Sequence, residues 1–150
     1  MTVRTRQLDA GVRTAMQALS VAAKKGLGDP VLTELVSIRA SQLNECAFCL
    51  DMHVDIAVSK NGESAKRIAL LNAWRESGDT FDDRERAALA LTDAITLLTT
   101  DGYVPDEVYE EAAHHFTDPE LAHLIASITV INNWNRLMVS RRIEPGGPAW

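Results

Sequence analysis

Four side chains in the first half of the sequence have types and spacing that could do chemistry together: Glu34, Cys46, Cys49 and His53. The two cysteines are the only ones in the chain, and they stand three residues apart within NECAFCLDMH. Steps of three and four at 3.6 residues per turn place Cys46, Cys49 and His53 on one face of a helix. Gln42, Leu43, Asn44 and Glu45 read as a turn, which puts both cysteines in the first turn of the helix that follows. A helix N-terminus carries partial positive charge and spare N–H groups, both of which stabilise a thiolate. The Cα separation at i, i+3 is about 5 Å, within what a disulfide accepts. His53 is one turn beyond Cys49, where an imidazole can take or return a thiol proton.

Three readings compete for the cysteine pair: a disulfide that opens and closes, a metal clip, and two small apolar residues in a core. Cys46, Cys49 and His53 are all zinc ligands, but structural zinc takes four, and His114, His115 and His123 lie far along the chain. His114 and His115 end a helix, where a cation suits the dipole, and His123 falls near an apolar stripe; both positions suit structural roles. Glu34 shares the face of its helix with Val31, Leu35 and Ile38. If it is buried there, desolvation raises its pKa toward neutrality and makes it a proton acceptor; otherwise it caps a backbone group or faces water. Trp74 and Trp134 read as core or subunit-contact residues, with the lining of a substrate pocket as the alternative.

The elements that must hold these residues are helices. Proline and acidic residues mark starts at Asp29-Pro30, Val104-Pro105-Asp106 and Asp118-Pro119, with Asp29 and Asp118 as candidate N-caps. Gly26, Gly62, Gly78 and Gly102 mark stops. Between them apolar residues return every three or four positions, as in Ala88, Leu91, Ile95 and Leu98, and no period-two strand is present. The spacing predicts helices over residues 6–25, 30–43, 46–60, 63–76, 82–100, 105–116 and 118–141. This is an all-α, single-domain bundle of six to seven helices spanning 1–150, with a tail from Glu144 to Trp150 that cannot continue a helix.

A 46% hydrophobic fraction supplies one core, and 21 acidic against 15 basic residues give a net charge of -6 that repels nucleic acid. MTVRTRQLDAG lacks an apolar signal region, and later apolar stretches are interrupted before membrane-spanning length, so the expectation is a cytoplasmic protein with no membrane contact. Two cysteines are too few for a secreted disulfide scaffold. No phosphate loop, catalytic-serine spacing or cofactor fingerprint is present. The long last helix, with Ile125, Ile128, Ile131, Trp134 and Met138, offers more than one apolar face and predicts self-association.

Glu34, eleven intervening residues, Cys46-x-x-Cys49, three more and His53 resemble the signature of the AhpD-like alkylhydroperoxidase core in the carboxymuconolactone decarboxylase family. The similarity extends from ELVSIRASQLNECAFCLDMH through LLNAW (70–74), RERAALALTDAIT (84–96) and INNWNR (131–136), over roughly residues 30–141. The resemblance implies an all-helical domain assembling as a homo-oligomer, a trimer or hexamer. It also implies a thiol-disulfide centre that reduces hydroperoxides or relays electrons to a peroxiredoxin, with Glu34, Cys46, Cys49 and His53 as redox and proton-relay residues. No cofactor or metal is implied beyond the Cys46–Cys49 disulfide and an external lipoyl-type dithiol or thioredoxin-like reductant. Decarboxylase members generally lack the cysteine pair. In the founding branch a second histidine precedes the second cysteine; Phe48 stands there in this chain, which shortens the relay. Cys49, nearest His53, is the expected attacking sulfur and Cys46 the resolving one. The alternative is a decarboxylase-like or non-enzymatic small-molecule-binding oligomer with incidental thiols.

Overall fold

Five of the helices begin where a side chain satisfies a free N–H of the first turn. A computed structural model describes residues 2, 4 and 9–148. In it Asp9 accepts from the Val12 N–H and opens α1 (Ala10–Leu27), and Asp29 accepts from Leu32 to open α2 (Pro30–Leu43). α3 follows over Ala47–Ser59, and Ser64 caps α4 (Ala65–Leu70). Two 3-10 segments, Leu71–Glu76 and Gly78–Thr80, lead to α5 (Asp83–Thr96), which opens with a reciprocal Asp82–Glu85 capping box. The short α6 (Leu98–Asp101), α7 (Asp106–His115) and the long α8 (Asp118–Arg141) complete the chain, and no strand occurs among the described residues.

The all-α expectation is met, with differences in punctuation. Residues 6–8 of the first predicted helix lie outside the described residues, and that helix runs past Gly26 to end at Gly28, whose φ of 67° is the left-handed cap. Gly26 instead permits close approach, since a Cβ there would stand 2.0 Å from His123 Cδ2. Thr117, not Asp118, caps α8 in a second capping box with Glu120. The predicted 63–76 helix is α only over Ala65–Leu70. Beyond it, Arg39 reaches the Asn72 carbonyl and side-chain oxygens, and Trp74 Nε1 donates to Asp93, so tertiary contacts override the helical period. The predicted 82–100 helix breaks at Leu97, after a buried Thr96 that accepts from Asn132 Nδ2 at 3.0 Å. The tail crosses α3, where Gly146 N donates to Asp51 Oδ2; its last two residues, Ala149 and Trp150, lie outside the described residues.

α2 runs through the middle. Every residue from Leu32 to Ser41 is buried, so the helix meets neighbours all round. On one side Leu32 and Val36 join Leu91, Phe116, Leu124 and Ile128; on the other Leu35 and Ile38 join Leu71, Trp74, Phe81 and Leu89. Two charged residues of α2, Glu34 and Arg39, are therefore buried as well. Arg39 pairs with Asp93 at 2.6 Å, and Arg75 pairs with the same carboxylate. Ile128, Ile131 and Met138 of α8 are buried within the chain itself, while Ile125 and Trp134 of the same helix are only partly buried. Among the described residues no helix is long and apolar enough to cross a membrane.

Candidate active site at the start of α3

The turn between α2 and α3 is tied down by amides from α8. Asn44 Nδ2 donates to Asn132 Oδ1 and Asn135 Oδ1, both at 2.9 Å, and Asn135 Nδ2 donates to Ser41 Oγ. Glu45 then takes a left-handed φ of 54°, reversing the chain so that the Cys46 N–H reaches the Ser41 carbonyl at 3.0 Å. Cys46 is the extended N-cap of α3, one position outside the helix predicted to contain it, and makes no side-chain cap. Cys49 is the third helical residue. The two are joined as a disulfide with Cα atoms 5.4 Å apart, and both are buried.

One turn on, His53 Nδ1 meets Glu34 Oε2 at 2.6 Å, and Lys24 Nζ of α1 donates to Glu34 Oε1 at 3.2 Å. The sequence placed Glu34 beside the pair but misjudged its charge. Burial does push the carboxyl up, yet the His53 hydrogen bond and the neighbouring His53 and Lys24 outweigh it and hold Glu34 below its ordinary value. It is an ionised acceptor that fixes the imidazole by Nδ1, leaving Nε2 as the ring edge away from the carboxylate.

Cys49 and His53 line a mostly apolar cavity of about 200 Å³, with Phe48, Met52, Trp134 and Met138 among its walls. Cys46 is not part of that lining. Phe48, where a second proton carrier was absent from the sequence, is thus an apolar wall. Ser127 Oγ is buried in the same wall with no hydrogen-bond partner, the kind of group that a bound molecule satisfies. Lys24, Ser127 and Met138 are not singled out for this site by sequence, and Trp134 reads there as a core or subunit-contact residue with pocket lining as the alternative. A basic residue near the end of α1 looks like helix-end electrostatics; buried Ser127 and the Asn132/Asn135 pair on an apolar α8 were the readable clues. The remaining histidines are elsewhere: His115 pairs with Glu111, and His123 Nδ1 meets the Pro119 carbonyl. Trp74 is occupied with Asp93, whereas Trp134 donates to Ser20 Oγ at the cavity. Among the described residues, no three of His, Cys, Asp or Glu are grouped so as to hold a metal ion.

The sequence profile of the carboxymuconolactone decarboxylase family matches residues 9–94. An uncharacterized Bacillus subtilis protein, YdfG, is 43% identical over 71% of this chain and 71% of its own length. A second uncharacterized protein, YnjA of Escherichia coli, is 36% identical over 69% of this chain and 55% of its own. The crystal structure of an Agrobacterium tumefaciens protein of unknown function, described there as a candidate AhpD antioxidant defence protein, superposes with a TM-score of 0.88. It is 33% identical, and the match covers 96% of this chain and 98% of that one.

Proposed function

We propose, from the premise that the chain belongs to the carboxymuconolactone decarboxylase family, that it is an AhpD-like thiol-disulfide oxidoreductase that reduces hydroperoxides. The observation that carries this reading is the position of Cys49 and His53 on one apolar cavity, with His53 held by an ionised Glu34. A decarboxylase or simple binder has no need of a bridged pair beside an oriented imidazole.

In the proposed cycle the Cys49 thiolate attacks the outer oxygen of a hydroperoxide in the cavity. The O–O bond breaks, the alkoxide takes a proton from the His53 side and leaves as alcohol, and Cys49 becomes a sulfenic acid. Cys46 sulfur then attacks Cys49 sulfur, hydroxide departs and is protonated to water, and the disulfide closes. A dithiol returns two electrons and two protons. Glu34 acts as a positioning residue that fixes the histidine tautomer, and Ser127 Oγ offers the peroxide a hydrogen bond. The apolar walls suit an organic hydroperoxide with a hydrocarbon body better than hydrogen peroxide.

Consumption of cumene hydroperoxide with dihydrolipoamide as reductant tests this. Wild type should turn over, and both single Cys→Ser variants should not. Cys46→Ser should still be oxidised once, leaving a sulfenic acid on Cys49 that dimedone labels. Turnover that survives Cys49→Ser would refute the reading.

A further inference from the structure

Cys46 and Cys49 open onto different cavities. Cys49 faces the cavity it shares with His53, while Cys46 lines a second one of about 290 Å³ between the start of α3 and the end of α8. Its walls include Ala47, Met138, Val139 and Ile143, and Glu45, Arg142 and Glu144 also border it. Met138 is buried and belongs to both linings, so with the disulfide it forms a partition.

Resting on the redox reading above, we propose that this second cavity admits the thiol reductant, which attacks Cys46 and expels Cys49. Displacement at sulfur runs in line: the incoming thiolate approaches along the extension of the bond that breaks. For attack on Cys46 that line leads away from Cys49, and Cys46, unlike Cys49, is among the residues that line the second cavity. The departing Cys49 thiolate is released beside His53 and within the first turn of α3, where a proton donor and the helix N-terminus stabilise it. Attack from the first cavity would instead strike Cys49 and expel Cys46, which that cavity does not contact.

The chemistry balances in two exchanges. A reductant thiolate bonds to Cys46 sulfur as the Cys46–Cys49 bond breaks, and Cys49 leaves as thiolate. The reductant's second thiolate then attacks its own sulfur in the mixed disulfide and releases Cys46. The reductant ends as a cyclic disulfide, having lost two electrons, and its two protons end on the cysteines. Apolar walls and a border with two carboxylates to one guanidinium fit an uncharged dithiol on a hydrocarbon chain better than an anionic thiol. Oxidant and reductant then use opposite sides of one disulfide and need not displace each other.

A monothiol stops at the mixed disulfide and reports which sulfur it struck. The protein is oxidised with diamide, so the measurement does not depend on peroxide reduction: loss of peroxidase activity would sink the proposed function and leave this mapping readable. After a pulse of 2-mercaptoethanol, acid quench and N-ethylmaleimide, fragment mass spectra of the peptide holding both cysteines should place mercaptoethanol on Cys46 and maleimide on Cys49. The reverse pattern should be rarer by about tenfold or more. Mercaptoethanol on Cys49, an even split, or a disulfide that this thiol leaves untouched would each overturn the proposal.

Discussion

At Glu34 two effects of opposite sign meet, and the one that wins decides what the carboxylate can do. Burial alone would make it a neutral acid near pH 7, ready to accept a thiol proton; His53 and Lys24 instead keep it charged. Helical spacing made Cys46, Cys49 and His53 legible as a set, and an acid among apolar neighbours made Glu34 stand out. Its charge state was not legible, because Lys24 arrives from α1, and nothing in local sequence says that α1 crosses this face. Glu34→Gln keeps the shape and removes the charge that orients His53. Disulfide formation by hydroperoxide should then slow by about 10²-fold with helix content unchanged, as measured by stopped flow. Stability follows the same group. Since the folded carboxyl titrates below its ordinary value of 4.5, its contribution is complete above that value and is lost as pH falls through the lower folded one. Urea unfolding of wild type should therefore weaken below about pH 4.5 in a way that Glu34→Gln lacks. A variant that matches wild type in oxidation rate would make Glu34 merely structural.

At the scale of elements, the site depends on a turn held by a helix some ninety residues away in sequence. The 3.6-residue period marked α2, α3, α5, α7 and α8 well because apolar burial sets that period. It failed over Leu71–Glu76 and at Leu97, where buried polar residues such as Arg39, Asp93 and Asn132 hold the backbone through their contacts. The cysteine turn is of the second kind. Asn135 is fully buried, donates to Ser41 and accepts from Asn44, and so fixes the strand of backbone that presents Cys46. Asn135→Ala removes one hydrogen bond from each partner, leaving Asn44 held by Asn132 and buried Ser41 by Ser37, which should lower unfolding free energy by roughly 1–3 kcal/mol. Hydrogen exchange at the Cys46 amide, bonded to the Ser41 carbonyl, should speed up more than exchange in α5 or α7. Uniform acceleration across all helices would mean that Asn135 supports the fold as a whole and not this turn.

For the whole molecule, the all-α class was legible in the helical period, whereas burial on both sides of α2 could not be counted before the helices were packed. Exposed large apolar residues lie on α1 and α3, at Val12, Leu19, Val21, Met52 and Val58, at Leu98, Tyr103 and Tyr109, and on α8 at Val139. The two cores flanking α2 contain no cysteine, and the cluster holding the disulfide is small and set at one end of α8. The bond closes a loop of only three sequence steps, so it removes little freedom from the unfolded chain. On chain-entropy grounds a four-residue loop is worth about 2 kcal/mol. A redox centre of this kind can open without unfolding its scaffold, which repeated turnover requires. Reduction with a phosphine should lower the thermal midpoint by roughly 4–8 °C while far-ultraviolet circular dichroism and the cooperativity of unfolding stay the same. The comparison is made in Cys46→Ser/Cys49→Ser protein as well, where the reductant should have no effect. If reduction abolishes cooperative unfolding, the disulfide is a staple of the fold and the cycle proposed for it cannot run.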